Sequence, residues 1–389
     1  MRGAAAVVGV AEQHYPRGAG PRSERGMVLE AILGACRDAG VSPRDLDGFT
    51  SYAGGESSGP VLAAELGIHE LRWSSMVWGG GGGGAAASVT AAAAAIASGQ
   101  AECVVAFRGM SQQDTGRLGY AKYYFDHHYL PHGVAAPAQV CALRTQRMLE
   151  ADGVPRSALR NLVLAAYHHA QQNPDAAGHG RPLTAEAYDD SRLIVEPFHL
   201  FDCSRENDGA VALVLVSAER AAQLDVTPTY VLAGAQGAPG GYSALNENDE
   251  HYTSAGFTAS AHGPGVAGRL WEQAGMKPSE LDVVQVYENF SGPAVASLID
   301  HGLCPAGSAA GDFMTLENLT VPAGVLPVNT SGGNIADSFV NGMGLAVEAV
   351  RQVRGTSTNQ AARADTSLFI GGPMAPLVSS VLLGSAQTL

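Results

Sequence analysis

A chain of 389 residues can bury a large core, and its formal charge of −14 opposes phosphate backbones, so nucleic acid is not an expected partner. Forty-six per cent apolar and 15% charged residues, with 49 glycines, describe a folded Ala/Gly-rich protein rather than a disordered one. No apolar run approaches the roughly 20 residues that span a bilayer, so no membrane partner and a cytoplasmic location are expected.

In chain order, residues 4–10 form the first predicted strand; the segment is too short and wrongly flanked for a signal peptide. A helix over 26–39 follows, then a helix over 85–98 and a strand over 103–108. Further strands are predicted at 210–217, 230–236, 283–287 and 368–372, with helices at 266–274 and 345–354. Each helix is closed by a glycine (Gly40, Gly99, Gly275, Gly355), a common C-terminal stop. The strands are continuous apolar runs, as expected for burial on both faces, and the alternation predicts an α/β fold with mostly parallel sheets. Five scattered cysteines (Cys36, Cys103, Cys141, Cys203, Cys304) form no CxxC pair, which argues against a disulfide framework and a structural zinc.

Residues 39–47 (AGVSPRDLD) and 274–282 (AGMKPSELD) match in spacing and chemistry, each joining a helix to a strand. The match predicts an internal duplication, with halves at 1–235 and 236–389. Residues 111–200, rich in aromatics, histidines and prolines, interrupt the pattern and are expected to form an inserted loop or lid over the site.

Several short motifs fall in a fixed order: Leu130-Pro131-His132-Gly133, Asn173-Pro174, Glu196-Pro197, Asp202-Cys203 and Asp208-Gly209-Ala210-Val211-Ala212, then Tyr287, Asn329-Thr330 and Gly332-Gly333. With the duplication, they give the whole chain a resemblance to the thiolase superfamily, and within it to the thiolase-like lipid-transfer branch that includes steroid side-chain aldolases. The resemblance implies a duplicated five-layer αβαβα fold, a homodimer, an acyl-CoA substrate and a small OB-fold (DUF35) partner. It implies no covalently bound cofactor and no metal, coenzyme A entering as part of the substrate.

By family spacing, the thiolase nucleophilic cysteine falls at about Gly82, inside the run 79–84, and the second thiolase cysteine at about Phe369. The glycine run is then either a tight, closely packed turn, or space for an acyl group with amides free as oxyanion donors. Tyr287 is the candidate acid/base of a retro-aldol cleavage, against the alternative of a packing tyrosine satisfied by backbone. The related aldolases carry a second tyrosine where this chain has Phe339, so a two-tyrosine relay cannot operate, and Asn341 can supply a hydrogen bond but no proton. Glu288, Asn289 and His132 are the nearest other candidates; Glu288 is equally a strand-end carboxylate orienting the Gly332-Gly333 loop. Gly82, Gly332, Gly333 and Asn341 are the expected coenzyme A contacts.

His127, His128 and His132 lie in an aromatic stretch that suits an apolar lid better than a metal. His168-His169 is expected on a partly exposed helix face, and Asp208-Gly209 as a turn before a buried strand. Arg117, Lys122, Arg144 and Arg147 are either contacts for the adenosine phosphate or a solvated surface. Three functions compete: a carbon–carbon lyase or reverse condensing enzyme on a β-hydroxyacyl-CoA, a cysteine-free acyltransferase, or a non-catalytic acyl-binding subunit.

Overall fold

The computed structural model describes residues 2–20, 23–55, 57–78, 81–111, 130–238, 265–372 and 377–389. Its strands are β1 Ala5–Pro16, β2 Gly48–Tyr52, β3 Trp73–Val77, β4 Cys103–Met110, β5 Leu193–Val195, β6 Phe198–His199, β7 Asn207–Ser217, β8 Thr229–Gly237, β9 Val283–Val286, β10 Thr366–Gly371 and β11 Val378–Gly384. Its longer helices are α1 Glu24–Ala39, α2 Ala85–Ala97, α3 Pro137–Ala151, α4 Arg156–Gln172, α5 Gly265–Ala274, α6 Ser291–Asp300 and α7 Met343–Arg354.

Among the described residues, nine strands form one sheet in the order β3-β2-β4-β7-β1-β8-β11-β10-β9. The duplication is visible in its pairing. In the first half β2 runs parallel to β4, which is antiparallel to β7, itself antiparallel to β1. In the second, β9 runs parallel to β10, which is antiparallel to β11, itself antiparallel to β8. The halves meet where β1 pairs antiparallel with β8, and the expected division at residue 235 falls inside β8. Both repeat segments take one form: a helix ending in a left-handed glycine (Gly40, Gly275), a single 3-10 turn on a proline (Pro43, Pro278), then β2 or β9.

The expectation of mostly parallel sheets is corrected: parallel pairing is confined to the outer strands. Continuous apolar runs report burial on both faces, and here helices cover both faces of antiparallel strands as well. Along β7, Ala210, Ala212, Val214 and Val216 enter one core with α1, while Val211, Leu213 and Leu215 enter another with α2 and α7. The two half-sheets thus share the buried helices α2 and α7, and α1 and α5 lie outside, the five-layer order.

Asp208-Gly209 is not a turn: both residues lie within β7, paired with Tyr15 and His14 of β1. Within the expected lid, residues 130–200 are largely helical rather than irregular, and α4 packs directly against the Gly333–Asp337 turn. His127, His128, Arg117, Lys122 and the neighbouring aromatics lie outside the described residues. Among the described residues, no helix is long and apolar enough to cross a membrane.

Candidate active site

The β9 strand ends at Val286 and hands Tyr287 to a slot cut by glycines. The Tyr287 N–H donates to the Ile370 carbonyl at 2.8 Å, which carries the ladder one residue past the strand and fixes the direction of the ring. A β-carbon on Gly82 would lie 2.0 Å from Tyr287 Cε2, and one on Gly342 would lie 2.3 Å from Cδ2. Any side chain at either position would expel the phenol. Phe339 closes the slot edge-on, its ring centroid 6.0 Å from that of Tyr287. Its backbone N–H is held by Asn207 Oδ1 at 2.6 Å.

The Tyr287 hydroxyl donates to Asn341 Oδ1 at 3.4 Å, a long bond, and Asn341 sits in the left-handed region at φ 51°. The Asn341 carbonyl accepts a second bond, 2.8 Å, from the hydroxyl of Tyr52 at the end of β2. The Tyr52 phenol is fully buried and is pushed up by that burial, so it stays protonated and acts as a donor; the nearby Arg108 offsets only part of the effect.

Beneath this lies Glu288, fully buried. Its Oε2 accepts from Asn334 Nδ2 at 3.2 Å and its Oε1 from the Ile335 N–H at 3.4 Å. Gly333 is bare because a β-carbon there would sit 1.8 Å from Glu288 Oε1, and at φ 62° it can turn around the carboxyl. Burial raises Glu288 to about 8, and the hydrogen bonds from the loop offset only part of that. Asn329, also left-handed at φ 50°, continues the ladder of β9: Val286 donates to its Oδ1 and accepts from its Nδ2, at 2.7 and 2.9 Å. His169 of α4 braces it, with Nδ1 3.2 Å from the Asn329 carbonyl and Nε2 accepting from the Val321 N–H. Because Nε2 accepts, this imidazole is neutral, in keeping with burial pushing it down to about 3.

A family model described as Thiolase C-terminal domain-like matches residues 247–383. The chain is 36% identical to a steroid side-chain-cleaving aldolase of Thermomonospora curvata, over 99% of each. It is 34% identical to a 17-hydroxy-3-oxo-4-pregnene-20-carboxyl-CoA lyase of Mycobacterium tuberculosis, over 99% of this chain and 100% of the relative. Among solved structures it superposes on the Ltp2-ChsH2(DUF35) aldolase with a TM-score of 0.89, at 33% identity over 100% of this chain and 99% of that one. The chain belongs to the thiolase superfamily. Its place is in the branch of lipid-transfer-like aldolases, and it is an enzyme of the thiolase fold. Human mitochondrial 3-ketoacyl-CoA thiolase, at a TM-score of 0.68 and 13% identity, shares the fold alone.

The Tyr287 ring packs where a side chain on Gly82 would go. Phe369 is buried in β10. Burial pushes the thiols of Cys36 up to about 11 and of Cys103, Cys203 and Cys304 up to about 12, away from the thiolate.

Of the predicted site residues, Tyr287, Gly82 and Asn341 come together, and Glu288 joins Gly332 and Gly333 in the buried layer below. Gly332 (φ 111°) packs on Ala170 of α4. His132 stands apart, exposed on the short Leu130–His132 turn. His169, expected to be half exposed, is fully buried because α4 lies over the Asn329 loop, whereas His168 is exposed. Arg144 is only 1% exposed, so it is no solvated surface residue, and Arg147 is exposed. Tyr52 and Gly342 were not singled out from the sequence. The signal for Tyr52 lay in the repeat: extended past Asp47 and Asp282, it aligns Tyr52 with Tyr287.

Proposed function

We propose that this enzyme is a carbon–carbon lyase that cleaves a β-hydroxyacyl-CoA by retro-aldol chemistry, or runs the reverse condensation, with Tyr287 as its acid/base. As the phenolate, Tyr287 takes the β-hydroxyl proton and becomes the phenol. The Cα–Cβ electron pair then leaves as the thioester enolate while Cβ–O becomes a carbonyl. The phenol returns the proton to Cα, so protons balance over the cycle. The observation that carries this reading is the slot: Gly82 and Gly342 are both stripped of side chains where the ring packs, which suits a phenol at the head of α2 in the place of a thiolate. The amides at that helix head, beside the hydroxyl, are suited to the enolate oxygen.

The Glu288 carboxyl orients the Gly332-Gly333 loop and acts through it rather than on substrate. A DUF35 protein is the proposed partner, supported by the Ltp2-ChsH2(DUF35) relative, and a CoA thioester the proposed substrate, supported by the lyase relative. A homodimer is proposed through β3, an edge strand that carries Met76 and leads to Trp78, 45% and 92% exposed. The test is product analysis by mass spectrometry on a panel of β-hydroxyacyl-CoAs, with and without a DUF35 partner. Release of a ketone or aldehyde with a shortened acyl-CoA supports the lyase. Acyl exchange without bond cleavage overturns it in favour of an acyltransferase.

A further inference from the structure

Tyr52 and Tyr287 are counterparts in the duplicated fold. The interval from Ala39 to Ala274, which sets the repeat, is also the interval from Tyr52 to Tyr287. Each tyrosine stands at the C-terminal end of the equivalent strand, β2 or β9. Each packs on the glycine that heads the buried helix of its own half. A β-carbon on Gly84, before α2, would lie 2.6 Å from Tyr52 Cβ; one on Gly342, before α7, would meet the Tyr287 ring. The two hydroxyls converge on a single residue, Tyr52 on the Asn341 carbonyl and Tyr287 on the Asn341 carboxamide.

Asn341 is left-handed at φ 51°, a conformation asparagine takes more readily than most non-glycine residues, and is followed by Gly342 at φ 86°. Its carbonyl is buried, and the Tyr52 hydroxyl satisfies it. The Tyr52 ring is in turn fixed by Arg108, which donates to the Tyr52 carbonyl at 2.7 Å and stacks at 5.4 Å from the ring centroid.

We infer that Tyr52 is a positioning residue of the lyase site: its hydroxyl holds the Asn341 peptide so that the Asn341 carboxamide faces the Tyr287 phenol. The inference rests on the reading of Tyr287 as acid/base. Phe339 stands edge-on to Tyr287, and a second phenol reaches Asn341 from the other half of the duplication. Tyr52 does not touch the reacting atoms; it acts through Asn341.

The test uses full-length protein labelled with 3-fluorotyrosine and observed by fluorine NMR, with the Tyr287 resonance assigned by its loss in Tyr287→Phe. A hydroxyl donating to Asn341 Oδ1 favours the neutral phenol. In Tyr52→Phe the Tyr287 resonance therefore moves, and its titration midpoint falls by about half a pH unit or more. Asn341→Gly keeps the left-handed backbone but removes the carboxamide, and gives the same change. The double variant gives no more than either single one, because both act through one group. An unchanged Tyr287 titration in a folded Tyr52→Phe overturns the inference and leaves the acid/base reading standing. Should Tyr52→Phe not fold, Asn341→Gly decides: an unmoved midpoint there also overturns it. Turnover that survives Tyr287→Phe, by contrast, overturns the acid/base reading itself.

Discussion

The Tyr287 ring lies where a side chain on Gly82 would have to go: a β-carbon there would sit 2.0 Å from Tyr287 Cε2. Ring atoms of a buried, backbone-anchored tyrosine cannot yield by that much without leaving the slot. Gly82→Ala is therefore expected to displace the phenol and to behave like Tyr287→Phe in turnover. Overpacking should also cost about 1–3 kcal/mol of stability. Chemical denaturation paired with a product assay checks both effects.

Phe339→Tyr tests the missing second hydroxyl directly. The Phe339 ring already faces Tyr287 edge-on, so the substitution sets a second phenol against the first. The expected outcome is a second ionisation in the pH–rate profile and a faster chemical step, read from single-turnover kinetics. An unchanged profile would mean that the new phenol does not share the proton.

Stability against pH follows from the buried carboxyls. Burial raises Glu288 to about 8, and raises Asp202, Asp337 and Glu348 as well. A carboxyl raised in the folded state keeps a proton that the unfolded chain gives up at its ordinary value of roughly 4.3. Folding therefore binds protons, and stability falls as pH rises from about 4.5 to about 8. Thermal unfolding across that range should show a falling Tm. In Glu288→Gln, which cannot ionise, the fall should be shallower by up to about 1 kcal/mol per pH unit.

Much of this was legible in the sequence because it was carried by long apolar runs and by one repeat. Six of the nine strands of the main sheet fall where those runs lie. The three that escaped are short or mixed: Gly48–Tyr52 has a polar centre, Trp73–Val77 is an edge strand of alternating exposure, and Val378–Gly384 carries two buried serines, Ser379 bonded to the helix α2 and its leading turn and Ser380 to His301. Strand direction was misjudged, since two-sided burial leaves the same imprint on antiparallel strands as on parallel ones. Tyr287 and the Gly332-Gly333 loop stand in local motifs, which is why the sequence singles them out. The purpose of Gly82 was not legible, because the ring that packs against it comes from a residue about two hundred positions away, and contacts of that range leave no local pattern. Tyr52 is marked only by extending the repeat past Asp47 and Asp282, which aligns it with Tyr287; its contact with Asn341 has no local signature.

Proton transfer by Tyr287 is the step on which the proposed lyase reaction turns. Its most direct test offers β-hydroxyacyl-CoAs to the protein with a DUF35 partner and compares wild type with Tyr287→Phe by mass spectrometry, while thioester binding is measured in parallel. The phenylalanine ring fills the same slot, so folding and binding should persist. Cleavage by wild type to a carbonyl product and a shorter acyl-CoA, with a loss of about 10²–10⁴-fold in the variant, is the predicted result. Cleavage at an unchanged rate in Tyr287→Phe would contradict the account.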